Sequence, residues 1–182
     1  PTQAVQSPHL SSLAEGYRAL VVGAGGGIGA GIVAHLLADP HCARVYAASR
    51  AGHPVGAATV LRMDVLDEAS IKAGFDAIEG ELDLIIVATG VLHGEGFAPE
   101  KAVRQISSDA FAHVFAVNVT GPALVAKYGL DRLSREGKTM FAALSARVGS
   151  ISDNRLGGWH AYRASKAALN MLVRNFAIEF AR

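Results

Sequence analysis

The sequence predicts an α/β fold, a doubly wound parallel sheet with helices on both faces. Short apolar runs alternate with helix-periodic segments along nearly the whole chain, which implies right-handed crossovers and a covered parallel sheet. The first apolar run ends in a dense glycine cluster. The residues able to do chemistry fall at or just past the ends of the apolar runs, where ligands sit in such sheets.

Each element follows from its local pattern. "RALVV", Arg18 to Val22, reads as the first strand. After the glycines, "IGAGIVAHLLA" sets Ile28, Ile32, Val33, Leu36 and Leu37 at helical spacing. "ARVYAAS" (Ala43 to Ser49) and "ATVLRMD" (Ala58 to Asp64) read as the next two strands, and "DEASIKAGFDAI" (Asp67 to Ile78) as a helix opened by acids. "LDLIIVATG" (Leu82 to Gly90) is a buried strand, Ser107 to Leu133 one long helix, and "KTMFAALSA" (Lys138 to Ala146) a fifth strand. The last helix begins near Ala161 and runs almost to Arg182.

Composition narrows the function classes. The 182 residues are 51% hydrophobic, enough for one domain with a core and too apolar for disorder. Residues 1–16 mix Pro, Ser and Gln with few apolar anchors and read as a flexible leader, leaving residues 17–182 as a single domain. Lys plus Arg (17) nearly cancels Asp plus Glu (16), so no net field favours nucleic acid or an anionic membrane, and a small-molecule task is expected. The apolar runs are interrupted or too short to cross a bilayer, and the N-terminus lacks a charged-then-apolar signal pattern. The single cysteine, Cys42, cannot form an internal disulfide, which fits a reducing cytoplasm. No Cys/His cluster has zinc-ligand spacing, and His93 with Glu95 reads as a glycine-rich loop rather than a metal site.

The glycine turn "VGAGGGIGAG" supplies Gly23, Gly27 and Gly29, with Ile28 between the last two. Missing side chains let the backbone turn tightly and approach a pyrophosphate, which then faces the helix N-terminus and its free amides. Its place after a strand and before an apolar helix points to a dinucleotide. An NAD reading needs an acid about 20 residues on. Ser49 and Arg50 stand there instead, and a hydroxyl with a guanidinium suits a 2'-phosphate, so NADP(H) is expected with NAD(H) as the alternative. Asp64, followed by Val65 in "RMDV", either accepts from an adenine amino group or caps a turn.

In "GGWHAYRASKAALN", Tyr162 and Lys166 lie one helical turn apart on one face. Tyrosine has an unperturbed pKa near ~10 and is a weak base at neutral pH unless a cation stabilises its phenolate, which Lys166 is spaced to do. A hydride transfer to a carbonyl needs such a proton donor beside the oxygen.

Taken in order, "GAGGGIG", "RMDV", "ATG", "FAVNVTG" and "YRASKAALN" resemble the short-chain dehydrogenase/reductase family over Arg18 to Arg182. "GSISDN" before "GGWHAYRASKAALN" resembles more narrowly its C-factor and Sniffer-like carbonyl reductase branch. The resemblance implies a Rossmann-type fold, with Tyr162 as acid/base and Lys166 lowering its pKa while holding the nicotinamide ribose. It implies that Asn118 holds a water in the proton relay, although a polar residue bonding its own helix backbone would look the same in sequence. Ala88, Thr89 and Gly90 take the place of the family's Asn-Asn-Ala-Gly turn and are expected to line the cofactor.

For the serine that polarises the carbonyl the choice is Ser145, with Ser150 in reserve. Ser145 precedes Tyr162 by seventeen positions and Ser150 by twelve. A strict family register instead puts Ala146 in the serine's place, and Val22 replaces a threonine that commonly braces the glycine turn. Two further expectations come from the resemblance: a further strand and substrate-covering segment after Arg182, missing from this chain, and a homodimer or homotetramer built on the long helices. The function expected is reduction of a small carbonyl, or oxidation of its alcohol. The alternative is a signalling or interaction protein that keeps the cofactor fold without turnover.

Overall fold

The computed structural model describes residues 10–180. Five parallel strands form one sheet in the order β3-β2-β1-β4-β5. They are β1 (Tyr17–Val22), β2 (Cys42–Ser49), β3 (Thr59–Arg62), β4 (Leu84–Val87) and β5 (Met140–Ala143). The helices are α1 (Gly27–Ala38), α2 (Glu68–Asp76), α3 (Ser108–Phe115), α4 (Gly121–Gly129) and α5 (His160–Glu179). The order places β1 centrally, with β2 and β3 on one side and β4 and β5 on the other. The gap between the carboxyl ends of β1 and β4 is therefore the switch point where a ligand sits.

Two cores lie on opposite faces because successive strand residues alternate in direction. Leu20 and Val22 of β1, with Tyr46 and Ala48 of β2, join Ile71, Phe75 and Val125 on the α2 and α4 face. Ala19 and Val21, with Val45 and Ala47, join Val33 and Leu36 on the α1 face. A strand buried on both faces reads as a continuous apolar run, which is why "ALVV" shows no polar alternation.

β1 and β2 each start one residue earlier than expected, whereas β3, β4 and β5 are shorter than their apolar runs. β3 stops at Arg62, and β5 occupies Met140–Ala143 rather than Lys138 to Ala146. The helix expected over Ser107 to Leu133 is interrupted. Between α3 and α4 the turn Ala116–Thr120 is π-helical, with the Gly121 amide donating to the Ala116 carbonyl five residues back. Pro122 has no amide to continue the ordinary ladder, so the wider turn here absorbs the missing bond. A helical stretch of 25 residues, Ser108–Arg132, is long and apolar enough to span a bilayer by length and composition alone. Its Val114, Asn118, Val125 and Ala126 are buried inside this domain, as in a core helix.

Of the segment expected to be a flexible leader, residues 1–9 lie outside the described residues, whereas residues 10–16 are anchored. Leu13 packs in the α1-side core, the Leu10 amide donates to Asp39 Oδ2 at 2.9 Å, and the Gly16 amide donates to the His41 carbonyl at 2.8 Å. Buried Asp39 also accepts the Tyr17 hydroxyl at 2.8 Å and the His41 amide at 2.9 Å. Desolvation pushes the Asp39 carboxyl upward, but the Leu10 and His41 amides and the Tyr17 hydroxyl outweigh it and hold its pKa below the usual aspartate value. Burial first, and the bond to Asp39 second, push the Tyr17 phenol upward.

A depressed folded pKa means that this stabilisation is fully present above the unfolded value near ~3.9 and is lost as pH falls through the lower folded value. Asp39→Ala is expected to cost about 2–3 kcal/mol, because it orphans a buried hydroxyl and two amides. It should also flatten the acid limb of the stability curve in urea titrations run from pH 2 to 7. An unchanged acid limb would remove Asp39 from the account.

Candidate active site

The carboxyl end of β1 turns sharply at Gly23, which has φ 93°, and the amides of Gly23 and Ala24 donate to the Ala48 carbonyl at 2.9 and 3.0 Å. A Cβ at Gly23 would meet the Ala88 carbonyl carbon and the Thr89 nitrogen at 2.9 Å, so the turn lies directly against the end of β4. A Cβ at Gly29 would collide with the Gly23 carbonyl. Around Gly27, by contrast, nothing comes within 4 Å of an added Cβ. The first turn of α1 has no side-chain cap and no acidic residue, so its amides and positive dipole end are free to receive an anion.

A second feature belongs to the residue against this turn: Thr89 Oγ1 is buried with no hydrogen-bond partner. Open glycines, an uncapped helix end and an orphaned hydroxyl are the features a dinucleotide's phosphates and ribose would satisfy. The residues present fit the group.

The other residues expected at a cofactor site lie at or just past the ends of β2 and β3 or open α1. Ser49 ends β2 beside Gly25, whose added Cβ would lie 3.5 Å from the Ser49 Cβ, and its hydroxyl accepts the Gly52 amide at 3.2 Å. Arg50 follows, exposed and free to reach a phosphate. Asp64 is already in part a turn residue, since its Oδ1 accepts the Leu66 amide at 3.0 Å. Val65 is buried in the α2-side core, against Gly121 of α4. Ile28, at the start of α1, is 67% exposed and lines a cavity of about 460 Å³ over β4 with Ile32, His35 and Ile86.

From the turn, Ala88 to Gly90 leads to the catalytic candidates. A Cβ on Gly90 would stand 3.3 Å from Lys166 Nζ and 3.6 Å from Asn118 Oδ1, so these three residues meet at one point. Lys166 is buried, and its ammonium donates to the Leu144 carbonyl at 2.9 Å. It lies 5.7 Å from the centre of the Tyr162 ring. Burial pushes the Tyr162 phenol above its ordinary pKa and the Lys166 amine below its own. Each shift favours the neutral form, as expected of two groups in a partly dry cleft with no anion beside the amine.

Asn118 lies on the π turn and is fully buried. Its Oδ1 accepts the Val91 amide at 2.8 Å, and its Nδ2 donates to the Val91 carbonyl at 2.9 Å and to Ser165 Oγ at 3.0 Å. Ser165 in turn donates to the Tyr162 carbonyl at 2.8 Å. The Asn118 side chain therefore bonds the chain beyond β4 and helix α5 rather than its own backbone. Ser165, absent from the residues singled out in the sequence, is the link. Its signal in the sequence is a small polar residue three positions after Tyr162, on the same face of the helix.

The serines are placed differently. Ser145 follows β5 and is exposed, and its hydroxyl donates to Asn170 Oδ1 at 2.6 Å. Asn170 is eight residues beyond Tyr162, roughly 12 Å along the helix. Ser150 Oγ accepts the Asp153 amide at 3.3 Å within its own loop. Neither hydroxyl is bonded to Tyr162. Among the described residues there is no group of three or more His, Cys, Asp or Glu side chains able to hold a metal ion.

The family model of the short chain dehydrogenases matches residues 17–182. C-signal of Myxococcus xanthus is 40% identical over 78 residues, 43% of this chain and 47% of that protein. Sniffer of Caenorhabditis elegans superposes with a TM-score of 0.74 at 27% identity, covering 92% of this chain and 80% of that one. An NADPH-bound carbonyl reductase from chicken fatty liver superposes with a TM-score of 0.73 at 26% identity, covering 93% and 72%. The chain spans 67%, 37% and 47% of the lengths of the first three curated relatives it matches.

Proposed function

Since the chain belongs to the short chain dehydrogenase family, we propose that it is an oxidoreductase that interconverts a small carbonyl compound and its alcohol with NADP(H). The observation that carries the reading is the meeting of Gly90, Lys166 and Asn118 beside Tyr162, at the mouth of a glycine turn built for a dinucleotide. NADP(H), when bound, supplies or accepts the hydride.

Gly23, Gly27, Ile28 and Gly29 would hold its pyrophosphate, Ser49 and Arg50 its 2'-phosphate, and Asp64 and Val65 its adenine. Ala88 to Gly90 and Lys166 would line the nicotinamide half. In the reductive direction the Tyr162 hydroxyl gives its proton to the carbonyl oxygen as the carbonyl carbon is reduced. Lys166 stabilises the phenolate left behind, which offsets the upward push of burial on that phenol. Asn118 ties Val91, in the chain beyond β4, to α5 through Ser165, and is the residue from which a water relay to Lys166 would start. Ser145 steadies the developing alkoxide once its hydroxyl leaves Asn170. A homodimer or homotetramer through the long helices belongs to the same reading, and Met171, 62% exposed on α5, offers apolar surface for it.

The test is NADPH oxidation against a panel of aliphatic, aromatic and cyclic carbonyls. Turnover on at least one class is expected. In direct titrations Arg50→Ala should weaken NADPH binding about tenfold or more while leaving NADH nearly unchanged, since only the 2'-phosphate offers the guanidinium a charged partner. Equal losses for both cofactors would point to a general role for Arg50. A cofactor-binding signalling protein is the second reading, favoured by the commitment of Ser145 to Asn170 and by Ala146 beside it. NADPH binding without turnover on any carbonyl would select it, and failure to bind either cofactor would overturn both.

A further inference from the structure

Helix α5 carries both Tyr162 and Lys166, yet it begins without the usual devices. Its N-cap is Trp159, no side chain of its own caps it, and its first turn holds no acidic residue. Trp159 is also the one non-glycine residue with positive φ among the described residues, at 51°, a conformation that a bulky side chain adopts only when its surroundings impose it.

The surroundings are Glu100. This residue lies 61 positions before Ala161, in the segment between β4 and α3, and is 5% exposed. Its carbonyl accepts the Trp159 amide at 2.5 Å. Both oxygens of its carboxylate face the Ala161 amide at 3.4 Å. Gly158 passes so close that an added Cβ would lie 3.2 Å from the Glu100 carbonyl. A carboxylate at this point supplies the anion and acceptor that the first turn of α5 lacks in its own sequence. The Trp159 ring then meets the edge of the Tyr162 ring, with centroids 6.4 Å apart, so the cap, the tryptophan and the phenol form one continuous contact.

We propose that Glu100 is a positioning residue for Tyr162: its carboxylate and carbonyl together fix the start of α5, and through Trp159 the place of the phenol. The kinetic part of this proposal rests on Tyr162 being the acid/base. The capping part does not.

The experiment compares the full chain with Glu100→Gln, which keeps an oxygen acceptor but loses the charge, and Glu100→Ala, which loses both. Glu136→Gln, an exposed site, controls for charge. Amide hydrogen exchange is followed at Trp159, Ala161 and Arg163, the last donating to the Trp159 carbonyl at 2.8 Å. Emission is followed from Trp159, the single tryptophan of the chain. In Glu100→Ala the three amides should exchange at least about tenfold faster while those of β1 and β4 keep their protection, and the emission should change in wavelength or intensity. Glu100→Gln should fall between, and Glu136→Gln should match wild type. In NADPH oxidation kcat should drop about tenfold in Glu100→Ala, with KM for NADPH within about twofold, because the loss is in placement of the proton donor.

Wild-type exchange and emission in Glu100→Ala would overturn the proposal, as would faster exchange spread evenly over β1 and β4. Should Glu100→Ala fail to fold, Glu100→Gln is judged by the same readouts. A wild-type protein without turnover would sink the reductase reading, while exchange and emission would still decide whether Glu100 caps α5.

Discussion

Tyr162→Phe is expected to lower NADPH-dependent carbonyl reduction by about 1,000-fold or more, with NADPH binding changed less than about twofold. The substitution removes one hydroxyl and keeps the ring that packs against Trp159 and faces Lys166. It therefore leaves the cleft shape and the ammonium in place while deleting the only proton donor proposed for the carbonyl oxygen. The pH profile gives an independent check. Burial raises the phenol and lowers the Lys166 amine, so in the free protein the ionised pair is disfavoured. In the oxidative direction, which needs the phenolate as base beside a charged Lys166, the rate should rise and then fall with pH, bounded by the two deprotonations. Activity of Tyr162→Phe within a few-fold of wild type, measured by initial rates at saturating NADPH, would remove Tyr162 from the mechanism.

Gly29→Ala is expected to destabilise the domain by about 1–3 kcal/mol through overpacking and to abolish measurable cofactor binding. The added methyl would drive into the Gly23 carbonyl, which accepts the Gly26 amide at 3.1 Å and closes the turn. Relief requires α1 to move away from β1, and that movement displaces the free amides at its N-terminus. Urea denaturation and NADPH titration read the two effects separately. Gly27→Ala is the informative companion, because an added Cβ there meets nothing within 4 Å in the domain itself. It should keep wild-type stability and lose affinity only to the extent that a cofactor occupies the open space. Equal behaviour of the two variants would contradict the geometry of the turn.

Much of this site is legible in the sequence. The glycine turn announces itself because its requirement is local: positive φ at Gly23 and close approach at Gly29 exclude side chains whatever the rest of the chain does. The Tyr162 and Lys166 pair is likewise local, four residues apart on one helix. Less was legible where a side chain's partner lies far along the chain. Asn118 read in sequence either as a relay residue or as a helix residue bonding itself, and the π turn before Pro122 was hidden inside an apolar pattern. Ser145 stands at a strand end, but strand position says nothing of where a hydroxyl rotor points, and Asn170 holds it.

The sequence alone determined the parallel α/β class, the placement of the glycine turn between β1 and α1, and the shared face of Tyr162 and Lys166. All three depend on hydrophobic period, backbone sterics or helical spacing within a few residues. Only the tertiary structure decided which polar groups close the site: Asn118 onto Val91 across 27 positions, Asn118 onto Ser165 across 47, Ser145 onto Asn170 across 25, and Glu100 onto the start of α5 across 61. Those pairings are made by crossover helices and loops returning to the carboxyl edge of one sheet. A buried hydrogen-bonding group takes whatever partner that packing brings within reach, and the reach is set by the fold.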